Sequence, residues 1–205
     1  STLGLTYAVA HPERVRAVVL GAVTLTRAMD VDWLTRGVGR YFPEAHERFL
    51  AGLPPQERDG NLAAAYGRLL ASPDGQVRHG AAVAWCEWEE AIPSLETDAL
   101  PGVWTNPRYV HPAFRYAFAR TVTHYWGNAA FQADDAILGR LDRLAGIPAV
   151  LCHGRLDLAS PAQVAWEVAR GWPEAELHVV PGVGHLGSAA MNAVMVAATD
   201  RFAAL

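Results

Sequence analysis

The sequence predicts an α/β fold, a parallel sheet flanked by helices and interrupted by a long helical insertion. Three observations carry this. Short apolar runs closed by Gly or Pro stand at 16–23 (RAVVLGAV), 148–154 (PAVLCHG) and 176–182 (ELHVVPG), and such runs read as buried strands. A helical pattern separates the second run from the third, and another follows the third. This alternation builds a parallel sheet covered on both faces. Between the first and second runs lie more than a hundred residues with helical patterns and few strand signals.

The first run, rich in valine, supplies one core strand. In the insertion, about 25–140, NLAAAYGRLLAS (61–72) and QVRHGAAVAWCEWEEA (76–91) read as helices. Trp33, Trp85, Trp88, Trp104 and Trp126 all fall here, and most are expected to pack the insertion's own core. After the second strand, SPAQVAWEVARGW (160–172) reads as a helix. Ser160 is placed as its N-cap and Pro161 in its first turn, while Val164, Val168 and Trp172 recur at helical spacing. The tail, AAMNAVMVAATDRFAAL, reads as a final helix.

Composition narrows the function classes. At 205 residues and 51% hydrophobic content the chain can bury a substantial core. A net charge of −4 with scattered Lys and Arg gives no footprint for nucleic acid. The longest apolar runs, such as AVVLGAV at 17–23, are too short to span a membrane. Residues 1–25 show no signal-peptide pattern. Cys86 and Cys152, far apart and without metal-ligand spacing, read as buried reduced thiols in a cytosolic setting. No repeat or low-complexity segment is present, and no ligand cluster implies a metal or organic cofactor.

The chemistry concentrates at the ends of the last two strands. VLCHGRLD puts Asp157 just past the second strand, and VVPGVGH puts His185 just past the third. Open parallel sheets carry their working residues on this rim. An Asp and a His on successive loops there can hydrogen-bond, the carboxylate fixing the tautomer of an imidazole that accepts a proton. Taken singly, Asp157 reads equally well as a turn cap and His185 as a structural histidine. The order Asp then His fits an α/β-hydrolase triad, whose chain order is Ser, Asp, His. The nucleophile should then precede Asp157 on a G-x-S-x-G elbow, and no such motif occurs in residues 1–205. Ser1, Ser72, Ser94, Ser160 and Ser188 all lack that setting.

These stretches resemble the proline iminopeptidases (prolyl aminopeptidases) of the α/β-hydrolase superfamily. The resemblance runs nearly end to end, through STLGLTYAVAHPERV (1–15), RYFPE (40–44), WCEWEEA (85–91), FARTVTHYW (118–126), IPAVLCHGRLD (147–157), WPEAELHVVPGVGH (172–185) and ATDRF (198–202). It implies the C-terminal part of an α/β-hydrolase fold with an inserted helical cap. The divisions are 1–24 core, 25–140 cap and 141–205 core. In the family the elbow G-G-S-W-G is followed directly by S-T-L. The catalytic serine is therefore expected upstream of Ser1, and Ser1 is expected to open the helix after the elbow, with TYAVA (6–10) as its packed face. An isolated segment of this kind is expected to leave a sheet edge uncovered.

Asp157 and His185 match the family's triad positions. Glu89, in the pair Trp88-Glu89, matches one of the acidic residues that bind the free amino group of an N-terminal proline. Elsewhere the pattern departs from the family. Val122 stands where a second acidic residue is expected, Val23 and Leu34 replace two pocket aromatics, and Ser160 replaces a Cys three residues after the triad Asp. The resemblance implies a cofactor-free serine hydrolase cleaving an N-terminal proline, or a related amide or ester, from a small substrate, without nucleic-acid or membrane partners. Three alternatives stay open: an esterase, amidase or tailoring enzyme with a more apolar pocket; an α/β-hydrolase with an Asp nucleophile, as in epoxide hydrolases and dehalogenases; and a non-catalytic relative acting as a binding module.

Overall fold

Tertiary contacts sort the polypeptide into a sheet unit, Ser1–Leu25 with Ala133–Leu205, and a helical unit, Thr26–Gln132. The computed structural model describes residues 1–93 and 106–205. Ser94 and Trp104, named above, lie outside the described residues.

In the sheet unit, β1 (Val18–Gly21), β2 (Ala149–Gly154) and β3 (Ala175–Val180) form a parallel sheet in that order. Ala149 is paired with Val18 on one side and Ala175 on the other. Every residue of β2 is buried, as a central strand covered on both faces requires. On one face Ala149 and Leu151 join a core with Leu5, Val164, Val168 and Trp172. On the other, the Cys152 thiol lies against the Met191 carbonyl.

Strand β1 is shorter than the apolar run 16–23. The backbone turns out of the strand at Ala22, whose φ is 48°, a left-handed conformation that a strand cannot contain. This turn aims the Val23 amide and carbonyl along new directions, and both find partners described below.

Helix α1 (Thr2–Ala10) buries Thr2, Leu5, Ala8 and Val9, residues three or four apart. Its packed face is therefore not the contiguous TYAVA, since Tyr7 points out and is 48% exposed. Ser1 precedes this helix, and its hydroxyl accepts from the Thr24 amide at 2.7 Å and donates to the Thr24 carbonyl at 2.9 Å. Helix α7 (Ala162–Gly171) links β2 to β3, with Pro161 at its N-cap instead of Ser160. The expected cap is displaced because the Ser160 hydroxyl donates to the Val23 carbonyl at 2.7 Å. Helix α8 (Ala189–Phe202) is capped by the Ser188 hydroxyl, which accepts from the Met191 amide.

The helical unit holds α2 (Ala28–Thr35), α3 (Pro43–Ala51), α4 (Leu62–Leu70), α5 (Gly75–Ala91) and α6 (Pro112–Gly127). Asn61 caps α4 and Asp74 caps α5 through their side-chain oxygens. Phe49, Tyr66, Trp85 and Trp88 are buried together. The Phe49 ring stacks on Tyr66 at 4.7 Å and on Trp88 at 5.2 Å. Their polar handles are satisfied internally, Trp88 Nε1 by the Leu34 carbonyl and Tyr66 Oη by the Phe49 carbonyl. Trp126 packs edge-on to Trp85 at 6.0 Å. The tryptophans Trp85 and Trp88 are thus core residues of their own unit.

Both Cys86 and Cys152 are buried free thiols. Among the described residues, no helix is long and apolar enough to cross a membrane, and no group of three His, Cys, Asp or Glu residues is placed to hold a metal ion.

One close approach organises the carboxyl end of the sheet. A Cβ on Gly154 would lie 2.6 Å from the Gly184 carbonyl oxygen and closer still to that of Val183. The two strand-end loops therefore touch backbone to backbone. Gly154→Ala is expected to destabilise the intact protein by about 1–3 kcal/mol through overpacking. Gly80→Ala, in α5 where a Cβ meets nothing within 4 Å, is expected to stabilise it by about 0.5–1 kcal/mol. Chemical denaturation reads both, and an unchanged midpoint for Gly154→Ala would contradict the close approach.

Candidate active site

The turn after β2 carries Asp157, and the loop after β3 carries His185. Main-chain hydrogen bonds stitch the two together, Arg155 N–H to Val180 O at 2.9 Å and Leu156 N–H to Val183 O at 2.8 Å. Gly182, with φ of 68°, makes the turn that brings the second loop back over Gly154. The parallel register and a glycine-lined crossing bring the two side chains together, although they are separated by 28 residues.

His185 Nδ1 lies 3.1 Å from Asp157 Oδ2. The Asp157 side chain is completely buried, whereas the His185 side chain is 45% exposed. A buried carboxylate must be hydrogen-bonded to remain ionised. Asp157 meets this requirement: Oδ1 accepts the Ser160 amide at 2.9 Å, and Oδ2 faces His185. The carboxylate therefore favours a proton on Nδ1 and leaves Nε2, on the opposite edge of the ring, as the basic nitrogen. Such an arrangement can take a proton at Nε2 and stabilise the resulting imidazolium.

Behind Asp157 sits His153, which the apolar pattern of 148–154 marks only as part of a strand. It is the fifth residue of β2 and completely buried. The Val23 amide donates to His153 Nδ1 at 3.1 Å, and Nε2 lies 2.7 Å from the Ser160 carbonyl oxygen. Nε2 is also 3.5 Å from Asp157 Oδ2. Because Nδ1 accepts a main-chain N–H, the ring is the neutral Nε2–H tautomer. Its proton is directed at the nearer Ser160 carbonyl, so the contact with Asp157 is a dipole beside a charge and not an ion pair. The available sequence signal was a histidine inside an otherwise apolar central strand, which needs polar partners there.

Glu89 belongs to the helical unit, on the last turn of α5, where its Oε1 accepts from Trp85 Nε1 at 3.1 Å. The charges around the neighbouring Cys86 are Glu87, Glu89 and Glu90, opposed by the Arg115 guanidinium. Burial first, then the Glu89 charge, pushes the Cys86 thiol up to about 12. Burial likewise raises Glu90 above the ordinary carboxylate range, although the Asn106 amide that it accepts pulls the other way. Of the three residues expected to make a pocket more apolar, Val23 is fully buried in the sheet unit's core and Leu34 is buried in the helical unit. Val122, on α6, is partly exposed.

A family model described as alpha/beta hydrolase fold matches residues 1–189. A probable proline iminopeptidase of Streptomyces coelicolor is 48% identical over 208 residues, spanning 99% of this chain and 62% of that protein. The proline iminopeptidase of Xylella fastidiosa is 38% identical over 205 residues, spanning 98% and 64%. That of Arabidopsis thaliana is 33% identical over 208 residues, spanning 100% and 54%. The chain thus covers less than two thirds of the length of these relatives. With its parallel sheet and flanking helices, the chain belongs to the α/β-hydrolase fold family, in the group of sequences that includes the proline iminopeptidases.

Proposed function

We propose that the protein is a serine hydrolase of the proline iminopeptidase type, with Asp157 and His185 as two members of its triad. The observation that carries this reading is the completely buried Asp157 carboxylate bonded to the half-exposed His185 ring on adjacent strand-end loops. In this reading the serine belongs to a G-x-S-x-G elbow, a motif that residues 1–205 do not contain. In the reaction, the serine hydroxyl passes its proton to His185 Nε2 as its oxygen attacks the substrate carbonyl. His185 then gives that proton to the departing amine, and water reverses the sequence to release the acid and restore the serine. Asp157 holds the ring and stabilises the imidazolium in both halves, and main-chain amides bind the oxyanion.

In this reading the helical insertion, residues 25–140, selects the substrate, a small peptide with a free N-terminal amine. Glu89 receives its ammonium, a role supported by the acidic end of α5. Val122, where the resemblance expects a second carboxylate, favours a related enzyme acting on neutral esters or amides as the second reading. The two buried free thiols support a cytosolic setting.

Variants of the intact protein test this reading. Asp157→Asn and His185→Ala are each expected to lower kcat by on the order of 10³–10⁴-fold and to abolish labelling by a fluorophosphonate probe. Retained labelling in both would refute the triad. Glu89→Gln is expected to raise KM for a chromogenic prolyl amide by about 10- to 100-fold, the cost of leaving an ammonium unpaired, while leaving an uncharged ester unaffected. Turnover of the ester without turnover of the prolyl amide in the wild type would select the second reading.

A further inference from the structure

The carboxylate of Asp157 is held by a closed set of buried hydrogen bonds that reaches across the sheet to the end of β1. The Val23 amide donates to His153 Nδ1 at 3.1 Å. His153 Nε2–H donates to the Ser160 carbonyl at 2.7 Å. The Ser160 hydroxyl returns to the Val23 carbonyl at 2.7 Å, and the Ser160 amide donates to Asp157 Oδ1 at 2.9 Å. Val23, His153, Ser160 and Asp157 are all buried. Three chain segments, the turn after β1, the end of β2 and the turn leading to α7, thus meet on one imidazole ring.

Ordinary core packing does not account for this ring. A buried histidine adds two polar nitrogens that each need a partner, and an apolar residue of similar volume would fill the space without that requirement. What the imidazole supplies, and a leucine does not, is an acceptor on one edge and a donor on the other at a fixed separation. The left-handed Ala22 (φ 48°) is part of the same device, because that turn presents both the amide and the carbonyl of Val23 inward. A non-glycine residue in that conformation costs on the order of 1 kcal/mol, so the surrounding contacts must hold it there.

We propose that His153, locked as the Nε2–H tautomer and seconded by Ser160, is a positioning residue that fixes the Asp157 carboxylate towards His185. It touches neither the substrate nor His185; it acts through Asp157. With Oδ1 pinned by the Ser160 amide and the His153 Nε2–H dipole 3.5 Å from Oδ2, the carboxylate has one remaining direction, the one His185 occupies. The inference rests on the reading of Asp157 and His185 as an acid–base pair, and its tests separate the two.

The tautomer is measured first, by ¹⁵N NMR of the intact protein at neutral pH. His153 is expected to show an unprotonated Nδ1 and a protonated Nε2, and the reverse assignment would overturn the proposal whether or not the protein is an enzyme. The second measurement is the downfield imidazole N–H proton of the His185–Asp157 hydrogen bond. It is expected to be lost to exchange in His153→Gln and His153→Asn, since each amide replaces only one edge of the ring. In the same variants kcat is expected to fall about 10- to 100-fold, the scale of a misplaced catalytic group, with KM within about twofold of wild type. Ser160→Ala keeps both main-chain bonds and loses only the tie to Val23. It is expected to show a smaller fall in kcat, which Ser160→Thr restores, and it serves should the His153 variants fail to fold. A retained His185 proton signal and unchanged kcat in folded variants would assign His153 to packing alone. A wild type that turns over neither ester nor prolyl amide, yet shows the predicted tautomer and signal loss, would leave the positioning intact and remove the hydrolase reading.

Discussion

The site depends on one steric constraint, the absence of a side chain at Gly154. Two loops that begin on neighbouring strands can exchange main-chain hydrogen bonds only if nothing stands between them. At this point the carbonyl oxygens of Val183 and Gly184 occupy the space a Cβ would take. Once the loops are in contact, Arg155 and Leu156 donate to Val180 and Val183, and the Asp157 side chain is delivered to His185. The electrostatics follow from that placement. A fully buried carboxylate is tolerable only when it is hydrogen-bonded; its own turn supplies the Ser160 amide, and the loop contact brings His185 to the other oxygen.

Burial is divided unequally between the two partners, and this division has chemical content. Asp157 is sealed from water and fixed, whereas His185 presents nearly half its side chain. The carboxyl partner is held in place, and the imidazole partner stays accessible. Ser160 sits at the junction. Its amide serves the carboxylate, its carbonyl serves His153 and its hydroxyl serves Val23, so its side chain is unavailable to cap α7.

Much of this was legible in the sequence, for reasons that differ by element. The three strands stand out as short apolar runs with Gly or Pro at their ends, although only β2 is fully buried and β1 and β3, at its flanks, are partly exposed; Asp157 and His185 follow from the rim rule. Strand β1 was overextended because apolar content carries no trace of the left-handed turn at Ala22. The Ser160 cap and the TYAVA face were misassigned for a related reason. Local pattern gives a residue's preference, while its partner, Val23 for Ser160 or the sheet core for Leu5, is chosen by tertiary packing. His153 is not legible as a site residue, because a histidine in an apolar run looks like a strand residue until its two nitrogens are accounted for.

The pairing of β1 with β2 joins Val18 to Ala149, so the chain must close a very large loop before this contact can form. Loop closure grows only as the logarithm of length, but a disordered insertion of this size would still slow the search for register. The helical unit, with its own aromatic core and side-chain caps on α4 and α5, changes the problem. Once collapsed, it gathers most of that loop, Thr26–Gln132, into a compact unit of its own. The insertion that separates the strands in sequence is thereby also the element that shortens the search between them.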